Sequence, residues 1–106
     1  MIRIAAVVTL IGNVAEPELR DWIARGWITP EPAPPTDYAF AEVDVARVRL
    51  IRDLRGAMGV ETETVPLVLD LLDQVYALRR ALRAVSGALD GQPEEVRRVV
   101  WAALGR

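Results

Sequence analysis

The chain has 106 residues, of which 52% are hydrophobic and 26% charged, a composition that suits one folded domain with an appended helix. It contains neither cysteine nor histidine. Thiol chemistry, disulfides, histidine-based acid–base catalysis and the usual zinc ligands are therefore excluded. The sequence also shows no signal-peptide pattern and no apolar run of about 18 residues. These features predict a cytoplasmic protein without a metal or another cofactor.

The charges are distributed unevenly along the chain. Residues 1–46 carry three arginines against seven acids, a local charge of −4, and residues 47–106 carry ten arginines against eight acids, a local charge of +2. Proteins that bind nucleic acid usually concentrate cations on the element that contacts it, because phosphate contacts supply most of the affinity. The acidic first half therefore disfavours this function.

The first third of the chain predicts two short elements joined by a turn. Val7 to Ile11 is apolar and predicts either a strand or a first helix, and Gly12-Asn13 predicts a turn. A helix is expected from about Ala15, because Pro17 is tolerated in a first turn. Gly26 is expected to end it in a left-handed conformation. The residues spaced for its apolar face are Leu19, Trp22 and Ile23.

A proline-rich loop separates this helix from the next. Residues 29–37 contain four prolines and cannot be helical, and Tyr38-Ala39-Phe40 predicts a short extended stretch. We expect at most a small hairpin here. The next helix is predicted from Ala41–Asp44 to Gly56. Its expected apolar face consists of Val45, Val48, Ile51 and Leu54.

The clearest periodicity lies in the last third, where a long helix is predicted from Val65 to Val85 or Leu89. Its heptad seam is formed by Val68, Leu71, Val75, Leu78, Leu82, Val85 and Leu89, spaced alternately by three and four residues. Ser86-Gly87 and Asp90-Gly91 are expected to break it, and Gln92–Glu95 to open a short final helix. The predicted organisation is a core over residues 1–60, the long helix over 61–91 and the terminal helix over 92–106.

The order of these elements resembles the DNA-binding half of the MerR family followed by its dimerisation helix. The residues that carry the resemblance are Leu19-Arg20, Gly26-Trp27-Ile28-Thr29-Pro30, Phe40-Ala41-Glu42-Val43-Asp44 and Val48-Arg49-Leu50-Ile51-Arg52-Asp53-Leu54-Arg55. The resemblance covers about residues 7–89. It implies a mainly all-α fold: a MerR-like winged helix-turn-helix with a small wing, then the long heptad-patterned helix and the short C-terminal helix.

Departures from the family pattern point to a narrower subfamily. DNA-binding relatives have a tyrosine beside the arginine of the recognition helix and Gly-Tyr-Arg in the wing, where this chain has Asp21 and Thr36-Asp37-Tyr38. An aspartate facing a phosphate is repulsive. The wing Tyr38-Ala39-Phe40-Ala41-Glu42 is similar to that of the CbpM-type chaperone modulators. That resemblance implies a partner, the J-domain of a DnaJ/CbpA-like co-chaperone, and inhibition by occlusion of its Hsp70-facing surface.

An acidic surface would complement the basic face that a J-domain presents to Hsp70. The residues expected to form it are Glu18, Asp21, Asp37, Tyr38 and Glu42. An alternative interpretation assigns Glu18 and Glu42 to helix starts, where acids complement the helix dipole. Trp22 and Trp27 could be hot-spot anchors, although core packing is favoured.

Several alternatives stay open at this level. The seam could pair with a second copy in an antiparallel coiled coil, as the MerR resemblance implies, or be covered within one chain by the terminal helix and the winged core. A DNA-binding regulator could contact phosphates through Arg47, Arg49, Arg52 and Arg55, and a small-molecule sensor ranks last. The carboxylate pairs Glu61/Glu63, Asp70/Asp73 and Glu94/Glu95 have no partner group for catalysis, so we expect no enzyme activity.

Overall fold

The computed structural model describes residues 1–105. It is mainly helical, with 64% helix, five helices and a small three-stranded sheet among those residues. Arg106, the last residue of the predicted terminal segment, lies outside the described residues. In chain order the elements are β1 (Ile2–Arg3), α1 (Ile4–Ile11), α2 (Glu16–Ala24), β2 (Glu31–Ala33), β3 (Asp37–Phe40), α3 (Glu42–Arg55), α4 (Val65–Asp90) and α5 (Glu94–Ala103).

The first apolar segment, for which strand and helix were both possible, is the helix α1. It begins three residues earlier than the apolar stretch suggested, directly after β1. Ile4, Val7 and Ile11 are buried at the three- and four-residue spacing of one helix face. Gly12 and Asn13 both have positive φ, 74° and 59°, and form the predicted turn into α2.

The helix α2 and its ending follow the prediction. Leu19 and Trp22 are buried and Ile23 is half-buried, so the apolar face points into the core. Gly26 adopts a φ of 78°, the left-handed conformation expected of it. Trp27 and Ile28 then pack into the core, where they are 5% and 1% exposed.

The proline-rich loop contains a hairpin, as predicted. β2 and β3 pair antiparallel with Pro32 opposite Tyr38, and β1 pairs antiparallel with the other edge of β3, with Ile2 opposite Phe40. The strand order is β1-β3-β2. The sheet therefore connects the start of the chain to the segment that leads into α3. Phe40, the last residue of β3, is buried at 1% exposure.

The predicted apolar face of α3 is the buried one. Its buried residues are Val45, Val48, Ile51 and Leu54. The carboxylate of Asp44 accepts a hydrogen bond of 2.8 Å from the backbone N–H of Ala41, which stabilises the start of the helix.

The long helix α4 runs without interruption through Ser86 and Gly87, so the break expected there is wrong. A glycine inside a helix costs only about 1 kcal/mol relative to alanine, which the flanking helix-forming residues outweigh. The break at Asp90-Gly91 is confirmed. α5 follows at the expected place, and none of its residues is buried.

The chain divides into two compact units, Met1–Leu69 and Asp70–Arg106, called here the core unit and the helical unit. The first residues of α4, including buried Val65 and Leu69, belong to the core unit. The buried apolar cluster of the core unit comprises Ile4, Val7, Ile11, Val14, Leu19, Trp22, Trp27, Ile28, Phe40, Val45, Val48, Ile51, Leu54, Val65 and Leu69. In the described part of the helical unit, Leu89 is the buried apolar residue.

Candidate protein-interaction surface

The exposed face of α2 carries three acids, two of which bind arginines one turn later. Glu16 pairs with Arg20 at 3.1 Å and Asp21 pairs with Arg25 at 2.8 Å, both between residues four positions apart. Glu18 is exposed between them. Because both arginines are held by carboxylates, the α2 surface presents three acids and no cation outside an ion pair.

Arg20 also connects α2 to the hairpin. Its guanidinium donates a hydrogen bond of 2.9 Å to the carbonyl of Thr36 and lies 5.9 Å from the ring centroid of Tyr38. Tyr38 is half-buried and packs against the core cluster. The surface of α2 and the tip of the hairpin therefore form one continuous region, which includes Glu16 and Asp37.

Asp37, one of the expected partner-binding acids, makes two hydrogen bonds within the chain. Its Oδ1 accepts 2.6 Å from the backbone N–H of Tyr38 and 3.2 Å from that of Ile4, the first residue of α1. These two bonds lower the pKa of Asp37 below its usual value, and the nearby Arg3 and Arg20 lower it further. Asp37 thus satisfies an N-terminal amide of α1, a role that the sequence did not reveal because 33 residues separate the two groups.

The remaining expected residues lie on two different grooves of the core unit. Glu18 borders a polar groove of about 430 Å³ beside Asn13, Trp22, Arg52 and Arg55. Glu42 borders a more apolar groove of about 680 Å³. That groove is also lined by Met1, Ile2, Leu10, Phe40, Ala41, Val45 and Arg49. The structure thus brings Asp37 and Tyr38 together with Arg20, and it places Glu18 and Glu42 on separate concave surfaces.

Three arginines of α3 hold other elements through backbone carbonyls. Arg47 donates to the carbonyl of Trp27, Arg52 to that of Ile11 at 2.8 Å, and Arg55 to that of Val60 at 2.7 Å. These bonds connect α3 to the end of α1, to the segment after α2 and to the segment before α4. The sequence pattern placed these arginines around the solvent side of α3 but gave no sign of their backbone partners.

The two tryptophans of the first half pack in the core, the interpretation favoured from sequence. Trp22 and Trp27 are 3% and 5% exposed, and their ring centroids lie 6.5 Å apart. The guanidinium of Arg25 lies 5.4 Å from the ring centroid of Trp27. Neither tryptophan is therefore placed as an exposed anchor for a partner.

In the helical unit, the heptad seam is exposed over most of its length. Leu71, Leu78, Leu82 and Val85 are about half or more exposed and Val75 is 40% exposed, whereas Leu89 is 8% exposed. Within this unit the terminal helix α5 does not cover them. The apolar stripe of α5 is itself exposed at Val96, Val99 and Leu104.

No known protein-family model matches this sequence, and neither a curated protein nor a solved structure is significantly similar to it. Over residues 1–105, no group of acidic side chains is placed to hold a metal ion. Within the same residues, no helix combines the length and the apolar character needed to cross a bilayer.

Proposed function

We propose that this chain is a chaperone modulator of the CbpM type with a MerR-like winged helix-turn-helix. In this proposal α1 and α2 form the helix-turn-helix and the β2–β3 hairpin forms the wing. The protein binds the J-domain of a DnaJ/CbpA-like co-chaperone and inhibits it by covering the surface that faces Hsp70. Self-association through α4 belongs to the same proposal.

The pairing of two arginines with acids of α2 is the observation that carries the proposal: Arg20 lies on α2 and Arg25 directly follows it. A helix that binds DNA needs cations that are available to phosphates. Here the guanidinium groups of Arg20 and Arg25 are bound to Glu16 and Asp21. Each pair contributes only about 0–1 kcal/mol, so the main obstacle to DNA binding is the charge of this surface, where three acids would repel the phosphates against two arginines. A basic protein surface, by contrast, would be attracted by Glu18 and by the partly exposed carboxylates of the pairs.

The hydrogen bonds of α3 support the same conclusion. Of the four arginines that a DNA-binding regulator would use, Arg47, Arg52 and Arg55 donate to backbone carbonyls of the core unit. Moving them to phosphates would leave those carbonyls without these donors. Arg49 is exposed and lies at the rim of the apolar groove.

The proposal is tested by titrating the full chain with the purified J-domain of a DnaJ/CbpA-like protein from the same organism at moderate salt. We expect a saturable one-to-one complex and a loss of J-domain-stimulated ATP hydrolysis by Hsp70 in proportion to the complex formed. The result that contradicts the proposal is no J-domain binding together with duplex DNA binding that weakens steeply as salt rises.

The variant Asp21→Arg tests the surface of α2 within that experiment. We expect the dissociation constant for the J-domain to rise at least about tenfold, because an attractive charge becomes a repulsive one. The fold should persist, since an exposed ion pair such as Asp21–Arg25 contributes only about 0–1 kcal/mol. The matched control is Glu63→Arg, the same charge change at an exposed residue outside α2 and the hairpin. Equal affinities for Asp21→Arg and the wild type would remove α2 from the interface.

A further inference from the structure

The apolar groove of the core unit is formed by α1 and α3, two helices that start side by side. Ile2 of β1 pairs with Phe40 of β3, and each helix begins two positions further along, α1 at Ile4 and α3 at Glu42. The two helices are in contact with each other. The groove of about 680 Å³ is lined by residues of both helices and by the residues that precede them. A concave surface between two contacting helices is a shape into which a third helix packs.

The groove has a buried apolar floor and an exposed apolar rim. Phe40 and Val45 are 1% and 8% exposed, whereas Leu10 is 56% and Met1 is 85% exposed. Water therefore reaches apolar side chains along the rim of a concave apolar surface. Apolar surface that a folded chain leaves exposed in this way marks an interaction site.

Two charged residues of opposite sign, Glu42 and Arg49, complete the lining of the groove. They lie seven positions apart on one face of α3, with Val45 between them, so their backbone positions are separated by about 10 Å at 1.5 Å per residue. Both side chains are exposed. Within residues 1–105 neither forms an ion pair or a side-chain hydrogen bond, in contrast to the other arginines of α3. The groove thus offers a partner an acidic end and a basic end.

We propose that the apolar groove binds an amphipathic helix of a protein partner. The side of that helix that faces the groove has a basic residue and an acidic residue seven positions apart, with apolar residues between them. The basic residue faces Glu42 and the acidic residue faces Arg49, so opposite charges meet at both ends. The apolar residues, three and four positions after the first charge, pack on Val45 and Leu10. Because all α-helices have the same rise per residue, a seven-residue spacing on the partner matches the spacing on α3.

An extended peptide matches this spacing less well. Its side chains alternate between two faces at about 3.3 Å per residue, so those that face the groove recur about every 7 Å. A pair two positions apart therefore spans about 7 Å and a pair four positions apart about 13 Å, whereas the two charged positions of α3 are about 10 Å apart. The spacing favours a helix as the occupant.

The proposal is tested with a short designed peptide that a lactam bridge on its outer face holds helical. The peptide carries arginine, leucine, leucine and glutamate at positions i, i+3, i+4 and i+7. Titration of the full chain into the fluorescein-labelled peptide, followed by fluorescence anisotropy, should show saturable one-to-one binding. Leu10→Gln, at an exposed residue of the rim, should raise the dissociation constant about tenfold, because an apolar contact is lost. Absence of saturable binding to the wild type would overturn the proposal.

Charge exchange tests the pairing at the basic end of the groove. Arg49→Glu should raise the dissociation constant of this peptide at least about tenfold, because glutamate would then face glutamate. A second peptide, with arginine at position i+7, should bind Arg49→Glu more tightly than it binds the wild type. The matched control Arg83→Glu makes the same charge change at an exposed residue of the helical unit and should bind both peptides as the wild type does. Equal affinities of Arg49→Glu and the wild type for both peptides would contradict the proposal.

This inference goes beyond J-domain binding and does not rest on it, because Glu16 and Asp21, the acids of the α2 ion pairs, lie outside the groove. Arg49→Glu should therefore bind the J-domain as tightly as the wild type, and Asp21→Arg should bind the first peptide as tightly. Sedimentation velocity should show the same self-association for Arg49→Glu and the wild type. A fall in J-domain affinity or a change in self-association for Arg49→Glu would assign the groove to the J-domain or to a second copy, and either result would overturn the proposal.

Discussion

The core unit and the helical unit expose their apolar side chains to very different extents. In the core unit the apolar positions of α1, α2 and α3 converge on a single buried cluster. In the helical unit, α4 and α5 have comparable periodicity, yet Leu71, Leu78 and Val99 are at least half exposed. Helical periodicity therefore identifies an apolar face in both units, but it does not say whether the chain itself covers that face.

The two units also differ in the contacts that fix their elements. In the core unit, side-chain hydrogen bonds join segments that are distant in the sequence: Arg52 bonds to Ile11 across 41 residues, and Asp37 to Ile4 across 33. In the helical unit, Gln74 donates a side-chain hydrogen bond to Asp70, one turn away. Local contacts of this kind stabilise a helix but give it no fixed neighbour.

The largest expected effect comes from equal truncations in the two units. Ile51→Ala removes a fully buried side chain and should lower the free energy of unfolding by about 2–5 kcal/mol. Leu78→Ala, at 69% exposure, should change it by less than about 0.5 kcal/mol in a dilute, monomeric sample. Urea denaturation followed by circular dichroism measures both. Similar losses for the two variants would show that the seam is covered within one chain.

A smaller effect is expected from the arginines of α3. Arg52→Gln removes the guanidinium that bonds to the carbonyl of Ile11 and should cost about 1–2 kcal/mol of unfolding free energy. Arg49→Gln changes an exposed neighbour on the same helix and should stay within about 0.5 kcal/mol of the wild type. The same denaturation experiment compares them. If Arg52→Gln were neutral, the bridges of α3 would not contribute to the difference between the units.

The smallest expected effect concerns pH. Because the pKa of Asp37 is lowered in the folded chain, its contribution to stability is complete above the unfolded value of about 3.9 and is lost as the pH falls through the lower folded value. Thermal unfolding midpoints measured from neutral pH to about pH 2 should therefore fall less steeply for Asp37→Asn than for the wild type. Glu31→Gln, an exposed acid of the same hairpin, is the control and should follow the wild type.

Much of the secondary structure could be predicted from local patterns. All four buried residues of α3 could be predicted, because apolar residues spaced by three and four positions fall on one face of a helix. Gly26 was placed correctly because its left-handed conformation strongly favours glycine. The continuation of α4 through Ser86 and Gly87 was missed, since the local preference against helix is small compared with the cooperativity of 26 helical residues.

The candidate surface could be predicted less well than the fold. The sequence predicts one surface formed by Glu18, Asp21, Asp37, Tyr38 and Glu42, but it could not show that Asp37 bonds to the start of α1. Nor could it show that Glu18 and Glu42 border different grooves. These arrangements join residues that are far apart in the chain. Where the partner is a backbone group, as for Asp37, it is present at every position and leaves no signal in the sequence.

The helix α4 begins in the core unit and continues into the helical unit, so its first turn forms as part of the core. Starting a helix is unfavourable because several residues must be ordered before the first hydrogen bond, whereas each later residue adds a bond of its own. In α4 the starting turn is held by the burial of Val65 and Leu69 in the core cluster. The folded core unit thus acts as a template from which the rest of α4 extends, and opening of this helix in a single chain should begin near Asp90 and advance toward Leu69.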